Sequence, residues 1–181
     1  MDYDSMTAFL SEENIKRHLS YLNSLKLKYS ILEKSIPALK GLEGARILKS
    51  GLSRKDITDA FSLYCEIYAH KKYFSSFTKT PKPSLSLRKH YRSENNFCYA
   101  LRESVKAGNY RYAYVYLDKR ARPEYRCIKE PDQQLLNDNP ILLLDLCEHS
   151  YFLDYGYEFE KYLTSSIAHL DFSRLDDINN P

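Results

Sequence analysis

Apolar residues recur at helical spacing through Ile15, Leu19, Leu22, Leu25, Tyr29 and Leu32, which predicts a long helix reaching about Lys34. Ser11 is placed to cap its start, and Glu12 and Glu13 put acids in the first turn, where the helix dipole favours them. Pro37, Gly41 and Gly44 then break the pattern. A second helix is predicted from Ser53-Arg54-Lys55-Asp56 through Ile57, Phe61, Tyr64 and Ile67 to about Phe74. Lys79-Thr80-Pro81-Lys82-Pro83-Ser84 carries two prolines and no large apolar side chain, a stiff polar connector. It is the expected boundary between an N-terminal domain, residues 1–80, and a C-terminal domain, residues 84–181.

Beyond the connector, Leu85 to Lys106 reads as one or two helices, with a break near Ser93-Glu94-Asn95-Asn96 and Gly108 as the closing C-cap. Tyr110 to Asp118 alternates, with Tyr110, Tyr112, Tyr114 and Tyr116 on one face and Ala113, Val115 and Leu117 on the other. That is a strand, and Tyr125 to Lys129 is its expected antiparallel partner. Pro131 to Asn139 reads as a polar loop leading to the apolar run Ile141–Leu144, a buried strand that ends on Asp145. Tyr157 to about Leu170 looks helical again. The predicted fold class is α+β: a long N-terminal helical hairpin, then a C-terminal lobe with a small three-stranded antiparallel sheet and helices.

Composition narrows the function. At 181 residues and 43% hydrophobic content, the chain suits one ordinary globular domain or two lobes sharing a core. No apolar run approaches the roughly 18 residues of a membrane span, so no membrane association is expected. The acidic start, Met1-Asp2-Tyr3-Asp4-Ser5, lacks the basic and apolar parts of a signal peptide, and the expected compartment is the cytoplasm. A formal charge of +3 is too mild to argue for nucleic acid, although it does not repel a small anion. Cys65, Cys98, Cys127 and Cys147 show no CxxC spacing and read as reduced thiols. Trp is absent, whereas Tyr occurs 17 times.

The candidate chemistry starts at Asp145. A carboxylate at the end of a buried strand is expensive without a cationic partner, and His149 follows four residues later with Glu148 beside it. His18 lies on the inward stripe of the first helix, and His70 on that of the second. Taken singly, either histidine also reads as a core-edge residue hydrogen-bonded to a backbone carbonyl. Brought together, three imidazoles and one carboxylate are a donor set suited to iron or manganese, with room for a further ligand. His90, in the basic stretch Arg88–Arg92, reads as solvated. No phosphate-binding glycine loop, Ser-His-Asp spacing or GxSxG elbow competes.

With these residues in place, the sequence resembles the iron/manganese superoxide dismutase family. That family's signature Asp-x-Trp-Glu-His-x-Tyr-Tyr-Leu-Asp-Tyr is close to Asp145-Leu146-Cys147-Glu148-His149-Ser150-Tyr151-Phe152-Leu153-Asp154-Tyr155. Leu10 to His18 looks like the family's opening helix, and Ala69-His70-Lys71-Lys72-Tyr73-Phe74 like its Asn-His-x-x-Tyr-Trp segment. Pro140, five before Asp145, also matches. The resemblance spans roughly residues 10 to 172. It implies one Fe or Mn ion per subunit on His18, His70, Asp145 and His149, with superoxide as substrate. It also implies a homodimer across which Glu148 reaches the partner's ligand histidine, and a site lined by Tyr73.

The departures surround those four residues. Lys26 stands where the family has its gateway tyrosine, and Leu22 where it has a histidine. Phe152 replaces an interface tyrosine, while Phe74, Cys147, Tyr112 and Tyr114 take tryptophan positions. Glu66 occupies the iron-type position of the glutamine that hydrogen-bonds coordinated solvent, with Gln133 or Gln134 as possible substitutes from the loop. The resemblance therefore implies a superoxide dismutase with altered surroundings. The alternative is a protein of the same fold that binds metal but has another catalytic role, or a structural or interaction role only.

Overall fold

The computed structural model describes residues 3–177, so Met1 and Asp2 of the acidic start lie outside the described residues. Two long helices come first, α1 (Glu12–Ser35) and α3 (Arg54–Phe74), packed on each other, with the single turn α2 (Ala45–Leu48) in the link between them. Both long helices start where their caps predict: Ser11 Oγ accepts from Asn14 N at 3.1 Å and Ser53 Oγ from Asp56 N at 3.2 Å. Leu39, Ile47 and Ala60 form a small separate core at the linked end of this hairpin.

The second half contains α4 (Leu85–Tyr91), α5 (Glu94–Lys106), β1 (Tyr112–Leu117), β2 (Pro123–Ile128), α6 (Gln133–Asp138), β3 (Leu142–Asp145), α7 (Glu148–Tyr155), α8 (Phe159–Ala168) and α9 (Arg174–Asp177). The strands form one antiparallel sheet in the order β2-β1-β3. The α+β class and the three-stranded sheet are as the pattern predicts. The break near Ser93 is also present, because Arg92 adopts a left-handed φ of 68° and Ser93 caps α5 through Asn96 N.

Three local readings are corrected. The segment 131–139 is not all loop: Asp132 accepts from Gln134 N and Leu135 N at 2.9 and 3.2 Å and starts α6, whose single buried residue, Leu135, gave too little periodicity to detect. Gly108 follows the C-cap residue Ala107 but does not adopt the left-handed φ by which a glycine closes a helix, so it is not the closing glycine of α5. A Cβ at Gly108 would meet the Tyr110 ring at 2.5 Å, so the glycine lets that ring lie close against the backbone. Third, the helical pattern read from Tyr157 onward is preceded by a helix it did not include, α7, which carries His149 in its first turn; Gly156, at φ 52°, follows that helix.

Tyr112, Ala113, Tyr114 and Val115 are all buried, so β1 is covered on both faces as a central strand. Leu143 N donates to Ser76 Oγ at 2.8 Å, Asp171 N to Ser76 O at 2.9 Å and Thr78 N to His169 O at 2.9 Å. Residues 76–78 thus join the end of α3 to β3 and to the end of α8. One apolar core runs through both halves, including Leu22, Ala69, Phe97, Leu142, Leu143, Leu144 and Leu163. Asp145 lies at the C-terminal end of β3 inside it, fully buried.

Asp176 anchors the connector. It accepts from Leu85 N and Ser86 N, both at 2.8 Å, and from Ser84 Oγ at 3.2 Å. Burial alone pushes its carboxyl up, but the bonds from Ser86, Leu85 and Ser84 outweigh this and hold it below the ordinary value. Asp176→Ala is expected to cost about 1–2 kcal/mol in urea unfolding at neutral pH. A carboxyl depressed in the folded state stabilises fully above its unfolded value, about 3.9, and the contribution fades as pH falls below it. The difference between wild type and variant should therefore shrink below about pH 4.

Candidate metal centre

Four elements deliver four side chains to one point. His18 comes from the inward stripe of α1, His70 from that of α3, and Asp145 and His149 from the end of β3 and the first turn of α7. Asp145 Oδ2 lies 3.2 Å from His18 Nε2, 3.3 Å from His70 Nε2 and 3.1 Å from His149 Nε2. His70 Nε2 and His149 Nε2 are 3.3 Å apart. One donor atom from each of the four residues falls within 4.8 Å of the others, close to the ~4 Å that donors bound ~2.1 Å from one ion can span.

Asp145 is held from every side. Its Oδ1 accepts from Cys147 N at 2.9 Å, and its backbone carbonyl accepts from Tyr162 OH at 2.6 Å and Ser150 Oγ at 2.9 Å. Tyr162 OH in turn lies 3.3 Å from Tyr73 OH, and both tyrosines are fully buried. This fixes Oδ2 toward the imidazoles. Burial pushes the Asp145 carboxyl up, but His149 and His18 outweigh it and hold the group well below the ordinary range.

The donor set fits a cation. His70 Nδ1 hydrogen-bonds the Glu66 carbonyl at 2.7 Å, which fixes the tautomer and turns the Nε2 lone pair to the cluster. That bond is the backbone partner expected of a core-edge histidine, and it leaves Nε2 available. His18 is buried, yet neither ring nitrogen makes a hydrogen bond; Nε2 approaches Oδ2 without the alignment one needs. A single carboxylate oxygen also has too few lone pairs for three N–H donors. As a hydrogen-bond network the cluster is unsatisfied, whereas a cation among three lone pairs and a carboxylate satisfies it.

Burial lowers His18 below its ordinary 6.5, only partly offset by Asp145. The metal-free protein therefore gains stability from a neutral His18 above about pH 6.5 and loses it as pH falls below that value, the unfolded one. Thermal melts of metal-free protein from pH 8 down to pH 5 should show a falling melting temperature, and His18→Gln should flatten the slope.

The surrounding residues are arranged less simply. Tyr73 is buried with its ring 4.9 Å from that of His18, and Phe74 lies 4.8 Å from the same ring. Glu66 is buried one turn before His70. Glu148 points to solvent beside His149. Lys26 is exposed on a shallow recess lined by Tyr29, Glu33, Tyr64 and Lys71, which none of the four clustered residues borders. Gln133 and Gln134 do not turn to the cluster: their amides donate to Asn137 and Asp138 within α6.

Sequence reasoning missed Tyr21, whose ring centroid lies 4.5 Å from His149 and 5.3 Å from His70. His149 is the partly exposed member of the four, at 29% of its side chain, and Tyr21 lies against it. The i,i+3 relation to His18 would have found it. Also missed were Ser150, Tyr162 and Arg111, whose roles depend on tertiary contacts.

A family model for the C-terminal domain of iron/manganese superoxide dismutases matches residues 79–177. The chain belongs to the iron/manganese superoxide dismutase family. Its helices, sheet and His-His-Asp-His cluster agree with that membership. No curated protein matches the sequence. Among the described residues, no helix is long and apolar enough to cross a membrane.

Proposed function

We propose that this chain is a superoxide dismutase holding one Fe or Mn ion per subunit on His18, His70, Asp145 and His149. The observation that carries the reading is the approach of three imidazole Nε2 atoms to one buried carboxylate oxygen, within 3.1–3.3 Å, in a chain of this family. When bound, the ion supplies one-electron chemistry: one superoxide is oxidised to dioxygen, and a second takes one electron and two protons to become hydrogen peroxide. Asp145 contributes the negative charge of the donor set, and its fixed bonds keep that charge in place. Tyr73 and Phe74 exclude water from the His18 side, whereas Tyr21 covers the more open His149 side with a phenol ring. Lys26 adds an exposed positive charge on the same helix, suited to drawing in a small anion.

Metal analysis with a superoxide-consumption assay on purified protein tests this. Bound Fe or Mn with activity supports the proposal, and failure to bind either metal on reconstitution refutes it. A second reading, favoured by Glu66 and Leu22 at altered positions, is a family protein that binds metal for another role; metal without activity supports that one. Tyr21→Ala should speed release of bound Mn(II) to a chelator about two- to ten-fold, since an aromatic contact is worth about 0.5–1.5 kcal/mol, while Tyr21→Phe should leave it unchanged.

The proposed assembly is a homodimer in the cytoplasm, built on the face that carries Glu148. Phe152, Leu153 and Tyr157 are exposed near it, and the Phe152 and Tyr157 rings sit 5.4 Å apart. Phe152→Glu should shift the mass in analytical ultracentrifugation from dimer to monomer. A division into residues 1–80 and 84–181 also belongs to this reading, with the polar connector as its support.

A further inference from the structure

The charge balance beside the cluster turns on Glu66. Its side chain is 11% exposed, a setting where an unpaired carboxylate is costly. Oε1 lies 2.9 Å from Arg111 Nη2, and Oε2 accepts from Tyr112 OH at 2.7 Å. Oε2 is also 3.9 Å from His70 Nδ1, on the ring whose Nε2 faces the cluster. A carboxylate only accepts hydrogen bonds, so a glutamate here requires donors that a neutral amide would not.

Arg111 is the charged donor, and it is itself well held. Its Nη1 lies 2.5 Å from Glu130, its Nε donates to Cys147 Sγ at 3.5 Å, and its guanidinium sits 5.5 Å from the Tyr112 ring centroid. Its backbone is fixed too: Arg111 N donates to Ile128 O and Arg111 O accepts from Leu146 N. Arg111 therefore joins β2, the end of β3 and the helix that carries His70.

We propose that Arg111 is a positioning residue of the metal centre: with Tyr112 it holds Glu66 as an aligned carboxylate beside His70, so that Glu66 and Arg111 form one charge-compensated unit. Its effect on metal affinity rests on the function proposed above; the pairing itself does not. Glu130 extends the unit to the surface.

Wild type, Glu66→Gln, Arg111→Met and the double variant test it, each measured for the melting temperature of metal-free protein and for Mn(II) affinity by titration. Arg111→Met should lower the melting temperature by about 4–8 °C and weaken Mn(II) binding about ten-fold, because it leaves a buried carboxylate unpaired. Glu66→Gln should do less in both respects. The double variant should recover most of both losses, since no unpaired charge remains. Arg111→Lys should recover only part, because an ammonium cannot reproduce the guanidinium's fork of contacts. If the double variant loses as much as the sum of the single variants, Arg111 does not act through Glu66 and the proposal is overturned. If wild type takes up neither Mn(II) nor Fe(II), the metal reading fails, and the melting cycle still decides the pairing.

Discussion

Replacing His70 with alanine is expected to abolish metal retention and, with it, superoxide consumption. Binding of a fully protein-ligated divalent ion is worth roughly 10–16 kcal/mol in the best-studied four-ligand case, so one ligand's share is about 2.5–4 kcal/mol. That share corresponds to a loss of about 100- to 1,000-fold in affinity. The removed imidazole has its Nε2 3.3 Å from Asp145 Oδ2 and 3.3 Å from His149 Nε2, and its Nδ1 is fixed by the Glu66 carbonyl, so no neighbour is positioned to replace it. Elemental analysis after purification and after reconstitution checks the metal, and a superoxide assay the activity. A variant that keeps either removes His70 from the ligand set.

Stripping the metal should lower thermal stability by a large margin. A ligand that binds only the folded state, present at 1,000 times its dissociation constant, adds about 4.1 kcal/mol. For a chain of this size each kcal/mol moves the melting temperature by about 2–4 °C, so the expected drop on chelation is about 8–16 °C. The effect has a structural source. The four donors come from α1, α3, the end of β3 and α7, so an ion held by them would tie the helical hairpin to the sheet lobe. Asp145→Asn should lose most of this increment, and the test is differential scanning calorimetry with and without chelator. A melting temperature that chelation does not move would contradict it.

The hairpin and the cluster were legible in sequence for one reason: both long helices carry their histidines on the apolar stripe that must face inward. Once that stripe is buried, His18 and His70 have nowhere else to point. Asp145 was legible because an acid ending an apolar strand has to be compensated. What stayed hidden depends on contacts between distant segments. Arg111 falls near the start of the strand predicted over Tyr110 to Asp118, and nothing local indicates that it meets Glu66 on another element. Helix α6 was obscured because one buried leucine makes no period. Tyr21 was passed over because a tyrosine beside an apolar stripe reads as packing. Its ring faces two imidazoles because the site opens on that side.

The shared centre of these four donors is tested most directly by anomalous diffraction collected at the iron and manganese edges from crystals of reconstituted protein. The prediction is one peak per chain, enclosed by Nε2 of His18, His70 and His149 and by Asp145 Oδ2. A peak elsewhere, or none at a fully reconstituted site, would contradict it.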